Sequence, residues 1–235
     1  MHRIDWHFML HELEHSVLHM DRGILYSLKE LMLRPGHLMR DYLEGRRARQ
    51  AKPFLLLMVT AAAVVFLGKL AFDGRLMESS MPVGYAGVMA SDAGTKAVEM
   101  AFADGLATVS SWMNRNFAVW TLLLIPLEAL ALRVAFLGTG RLNYPEWLVV
   151  TAFLTVQAFV FWGLAMPLQR WFPQATSIAI GLAFCYGLYS LVQLFSGYPR
   201  WKSALRALVG LGAFGVVSGL ATLAVVVALV IGQLR

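Results

Sequence analysis

Five stretches long and apolar enough to cross a bilayer dominate this chain: Phe54–Phe72, Phe117–Leu137, Trp147–Pro167, Ala175–Phe195 and Ala207–Ile231, of 19, 21, 21, 21 and 25 residues. A helix needs about 20 residues to traverse roughly 30 Å of hydrocarbon. Only helices and closed barrels satisfy every backbone polar group there. The pattern predicts an all-α polytopic membrane bundle of five spans (53–235), with an outer loop over 73–116 and a helical N-terminal segment over 1–52. Pro53 stands at a favoured helix-start position ahead of the first span. Composition agrees: 58% of residues are hydrophobic, 14% are charged and mean hydropathy is +0.62, against about a quarter charged in soluble proteins. A soluble enzyme is excluded.

The excess of Lys and Arg, +6 overall, sets topology in such a chain, because basic loops resist translocation. With the N-terminus in the cytoplasm, thirteen basic residues outside the spans fall inside: nine within 1–53, then Arg141, Arg200, Lys202 and Arg206. Arg75, Lys96, Arg115, Arg170 and Arg235 fall outside. Trp112, Trp120, Trp162 and Trp171 then mark the outer interface, and Trp147 and Trp201 the inner one. The expectation is a bacterial inner membrane, with the N-terminus cytoplasmic and the C-terminus periplasmic. The first residues lack the apolar run and cleavage site of a signal peptide. No basic, aromatic-interleaved module points to nucleic acid. The sole cysteine, Cys185, permits no intramolecular disulfide.

Residues Ile4 to Met20 read as an amphipathic helix. Trp6, Met9, Leu10, Leu13, Val17 and Met20 share one face, and His7, His11, His15 and His19 form a ladder on the other. Four-residue steps rise about 6 Å, so neighbouring imidazoles converge on one ion, with Glu12 and Glu14 as ligands or hydrogen-bonding partners. A divalent metal, zinc or iron, is one reading; a further ligand would come from a carboxylate, His37 or another subunit. A proton-sensing cluster and a plain solvated face are the others. Asp21 is a candidate helix cap, Ile24 to Leu33 a short helix stopped by Arg34-Pro35-Gly36, and His37 to Gly45 a resumed helix. Arg46, Arg47, Arg49 and Lys52 then abut the first span, as a topology anchor or a site for anionic lipid headgroups at about 1 kcal/mol per residue.

The run HELEHSVLHMDRGILYSLKELMLRPGHLMRDYLEGRRARQAKPF, His11 to Phe54, resembles a bacterial integral membrane family called domain of unknown function three-six-six-seven. Its marks are a His-spaced helix, D-[RK]-G, a leucine-rich helix, R-P-G, and R-x-Y-x-x-G-x-R before a span. Asn143 to Phe159, NYPEWLVVTAFLTVQAF, is similar to the family's segment entering a later span. The cysteine ribbon that often precedes this region in the family is absent from the chain. The resemblance implies an envelope membrane protein and no particular activity.

Within the spans, Glu128 lies about 16 Å along the second helix, near the midplane, where a carboxylate must be paired, protonated or wetted. Pro126 removes one helical hydrogen bond nearby. Gln157 reaches similar depth in the third span and is the expected neutral partner. Arg133 lies about 140° around from Glu128 and is expected to snorkel or meet another helix, while Lys69 snorkels. Glu128, Gln157 and Arg133 are the candidate membrane-path residues. Gly215-x-x-x-Gly219 invites close helix packing, within the chain or in a homo-oligomer. In the outer loop, Val98, Phe102, Leu106 and Val109 predict an amphipathic helix leading into the second span.

No phosphate loop, G-x-S-x-G elbow or H-E-x-x-H occurs, so catalytic residues are not assignable. The leading expectation is transport or gating of a small ion or solute, with the His helix sensing metal or protons. A metal-dependent membrane enzyme acting on lipid and a structural partner subunit are the alternatives.

Overall fold

Regular structure is helical throughout the residues that the computed structural model describes, 23–72, 93–139 and 142–233. The His7–His19 ladder with Glu12 and Glu14, Asp21, Arg141 and loop residues 73–92 lie outside the described residues. In chain order the helices are α1 (23–33), α2 (Pro35–Leu43), α3 (Pro53–Phe72), α4 (Ala93–Arg115), α5 (Phe117–Ala135), α6 (Tyr144–Ala165), α7 (Ala175–Leu194) and α8 (Arg200–Gln233), with a 3₁₀ turn at Pro167–Arg170.

Five helices are long and apolar enough to cross a membrane: Pro53–Ala71, Phe117–Ala135, Tyr144–Arg170, Ala175–Leu194 and Arg200–Gly232. The last begins earlier than its apolar run, because Arg200, Lys202 and Arg206 leave hydrocarbon without breaking a helix. At 34 residues α8 is about 51 Å long. The helix α6 is the axis of the bundle, with 61% of its span buried against 11% for α8. It packs against α3, α5 and α7, while α8 lies on α5 and α7.

Ring contacts fix α5 and α6 antiparallel. At the end carrying Arg200 and Arg206, called here the basic end, Phe136 meets Trp147 at 5.3 Å and Phe195 at 4.6 Å. At the opposite end Phe117 meets Phe159 at 5.4 Å and Trp162 at 5.9 Å. Gly210 lets α8 close on α5: a Cβ there would stand 2.8 Å from Leu132 Cδ2 and 3.0 Å from Ala135 Cβ.

The helix expected in the outer loop exists as α4, broken from α5 only at Asn116. Its Phe102, Leu106, Val109 and Met113 pack with Val226 and Val230 near the end of α8. That apolar stripe is buried against a helix, at 3.6-residue spacing.

The helices α1 and α2 form a hairpin inserted into the basic end, against α6 and α7. Leu31, Leu38 and Met39 are buried in the main core. The hairpin leaves helix-end carbonyls orphaned, and in an apolar setting each costs several kcal/mol unless paired. The bundle supplies the partners: Gln157 Nε2 donates to Leu31 O at 3.2 Å and the Tyr186 hydroxyl to Met32 O at 2.8 Å. In return Arg40 Nη2 donates to the last carbonyls of α7, Gln193 O (2.8 Å) and Leu194 O (2.6 Å), and to Ser196 Oγ (2.8 Å). A cation at a helix C-terminus also meets a favourable dipole.

The local sequence explains this form. Pro35 opens α2 at its first turn, where its missing N–H costs nothing. Gly36 donates its N–H to Gln193 Oε1 at 2.8 Å, and a Cβ there would lie 2.5 Å from the Gln193 carbonyl carbon and Leu194 N. Only glycine lets the backbones pass. Gly45, at φ 87°, ends α2 with Arg46 N–H on Asp41 O and Gly45 N–H on Tyr42 O, a left-handed cap. Tyr42 sets its ring edge-on to Phe153 at 5.6 Å, and the Arg47 guanidinium lies 4.6 Å above it. Ser27 accepts the Ala51 N–H at 2.8 Å, tying α1 to the start of α3.

Candidate binding chamber

Between α5, α6, α7 and α8 lies a cavity of about 560 Å³, in the range of small-molecule sites. Glu128 lines it and is the sole acid or base of its walls among the described residues. Phe117, Trp120, Phe159, Trp162, Phe184 and Phe214 supply rings, and Thr121 and Thr155 the hydroxyls. Gly187, Gly212 and Gly215 leave the room: a Cβ on Gly212 or Gly215 would meet nothing within 4 Å.

The carboxyl of Glu128 hydrogen-bonds with Thr155, whose Oγ1 is in donor contact with Thr151 O at 2.9 Å. Glu128 is 9% exposed, and among the described residues no cation lines the chamber beside it. The Trp162 indole N–H is buried without a partner among the described residues.

Of the expected membrane-path residues, Glu128 stands in the chamber, whereas Gln157 and Arg133 are not among its walls. Gln157 is fully buried and used at both ends, donating to Leu31 O and accepting from Ser190 Oγ at 3.1 Å. Depth along a helix does not fix direction. Positions 155 and 157 are about 200° apart around α6, so one faces Glu128 and the other the hairpin. Arg133 is exposed on another face of α5. Thr121 was missed by sequence reasoning, although it precedes Glu128 by seven residues, two helical turns, and so shares its face.

In the polybasic run, Arg46 is bound locally: Nη2 lies 2.5 Å from Asp41 Oδ1 and Nη1 2.6 Å from Glu44 Oε2. The hydrogen bond to Asp41, with the charges of Asp41 and Glu44, holds the Arg46 guanidinium pKa above its ordinary value. Arg47 Nε donates to Tyr42 O at 2.8 Å. Arg49 and Lys52 are exposed. His37 is exposed too, and no group of three metal-ligating side chains occurs among the described residues. A Cβ on Gly215 or Gly219 would meet nothing within 4 Å among the described residues.

Residues 21–65 match the family described as protein of unknown function (DUF3667). No curated protein and no solved structure matches the chain. The matched segment comprises the inserted hairpin, the basic link and the first two-thirds of α3. The residues that carried the resemblance have structural work: Pro35 and Gly36 turn and seat the hairpin, Arg40 caps α7, Tyr42 packs on α6, Gly45 reverses the chain and Arg47 closes the turn. The chamber lies outside this segment, since all its walls come from residues 117–215.

Proposed function

We propose that this protein moves or gates a small solute across the membrane through the chamber around Glu128. The single observation supporting this is a lone carboxyl among apolar walls, at the middle of four helices apolar enough to span a bilayer. A buried acid there is costly, and such groups mark ion and solute paths. Thr121, on the Glu128 face of α5, and Thr155, on the facing α6, extend the polar patch. In this reading the N-terminus is cytoplasmic in a bacterial inner membrane, as the basic residues of 1–53 favour. The His7–His19 ladder would sense metal or protons on that side.

Liposome flux tests the proposal. The intact protein is expected to carry a solute that Glu128→Gln carries at a small fraction of the rate, with equal insertion of both proteins. No Glu128-dependent flux for any solute, over a range of pH and metal, would refute it and leave a partner-subunit role.

A further inference from the structure

We infer that the chamber's ligand is a lipophilic monovalent cation: an apolar, ring-bearing body carrying one weakly hydrated positive charge. This rests on the transport reading for its purpose, but not for its chemistry.

One carboxyl and two hydroxyls are the oxygen donors of the lining side chains, and six aromatic rings with aliphatic side chains make up most of the rest. A hydrated inorganic cation would have to shed a shell of six or more oxygens, which this set cannot replace. An anion would meet the Glu128 carboxyl with no lining cation among the described residues to offset it. A neutral hydrocarbon would fit the walls and offer the carboxyl no partner beyond Thr155.

A delocalised or shielded cation meets each condition. Its desolvation is slight, its body replaces the apolar contacts, and its charge is attracted both by the carboxylate and by aromatic faces. Size agrees, since about 560 Å³ holds a molecule with several rings. The open space beside Gly212 and Gly215 admits such a body without displacing side chains. No Lys, Arg or His lines the chamber among the described residues, and Arg133, five residues on, is exposed on another face of α5, so no lining cation competes for the Glu128 carboxyl.

Equilibrium binding of tetraphenylphosphonium to the full chain in lipid nanodiscs tests this, with neutral triphenylphosphine oxide as the second probe. The intact protein is expected to bind the cation at one site per chain and the neutral probe much more weakly. Glu128→Gln is expected to lose cation affinity by about ten-fold or more, and Glu128→Asp to keep most of it. Gly215→Leu, which leaves the carboxyl in place and fills the space, is expected to abolish binding and locates the site even where Glu128→Gln misfolds. Equal cation affinity in the intact protein and a folded Glu128→Gln, or equal affinity for both probes, would overturn the inference. So would unchanged binding in Gly215→Leu. Cation binding with no flux in liposomes would support the ligand class while removing the transport reading. Glu128-dependent flux of another solute with no cation binding would overturn the ligand class and spare transport.

Discussion

Gln157 in the middle of α6 holds the carbonyl of Leu31 at 3.2 Å, so a polar residue deep in the bundle serves the inserted hairpin and not the neighbouring acid. Its other end takes the Ser190 hydroxyl, making one connected set from α1 through α6 to α7. Replacing it by leucine leaves the Leu31 carbonyl buried and unpaired. Gln157→Leu is expected to lower stability by about 1–3 kcal/mol, seen as a lower Tm in nanodiscs. Tyr186→Phe, which strips the partner of Met32 O, should cost a similar amount. Because both anchor one hairpin, the double variant should depart from additivity; strict additivity would mean that the two bonds hold independent elements.

Four glycines should rank by geometry. Gly36→Ala drives a methyl against the backbone of Gln193 and Leu194, and is expected to cost about 3 kcal/mol, the upper end of overpacking. Gly210→Ala meets the flexible Leu132 side chain and the Ala135 methyl, so about 1–2 kcal/mol is expected. Gly45→Ala is strained by φ 87° with open space around it, for about 1–2 kcal/mol. Gly212→Ala should be neutral or stabilising by up to about 1 kcal/mol, since it gains helix propensity and meets nothing. Melting temperatures read the order, and a neutral Gly36→Ala would contradict the seating of α2 on α7.

Length and apolarity suffice for the five spans, because hydrocarbon thickness fixes both. The short helix Ile24–Leu33 and the break after it were legible from proline and glycine chemistry, but the restart expected at His37 comes at Pro35, because proline and glycine fit the first turn of α2. The insertion of that hairpin was not legible, because Leu31, Leu38 and Met39 look the same on a surface helix as on a buried one; only the bonds from Gln157, Tyr186 and Arg40 reveal the docking. Glu128 was legible as the polar centre because charge inside a span is rare. Its partner was not. Gln157 matches it in depth, but Thr155 matches it in both depth and direction, and direction depends on how α5 and α6 are rotated against each other.

Headgroup binding at the basic end should depend on which arginines retain free charge. Arg46 is paired with Asp41 and Glu44, whereas Arg49 and Lys52 are exposed. Neutralising Arg49 and Lys52 together is expected to reduce retained anionic lipid by several-fold per residue, from about 1 kcal/mol each. Arg46→Gln should change it little and lower stability instead. Native mass spectrometry of protein released from mixed nanodiscs counts the bound lipids; a larger loss for Arg46→Gln than for the Arg49 and Lys52 pair would reverse the assignment.

The metal reading of the N-terminal ladder has its own test. Side chains four residues apart on a helix bring two imidazoles to one ion, and Glu12 and Glu14 stand three residues from His15 and His11, so ligands of the zinc and iron type are close in sequence. His37 is exposed on α2, beyond the ladder itself. Purified full-length protein is expected to carry about one equivalent of zinc or iron by elemental analysis. Replacing His7, His11, His15 and His19 by alanine should remove it, while His37→Ala should leave it bound. Equal, near-zero metal in the intact and substituted proteins would eliminate both the metal-sensing role and a metal-dependent enzyme. A ladder empty of metal, with flux still responding to pH and losing that response on substitution, would instead identify the histidines as proton sensors.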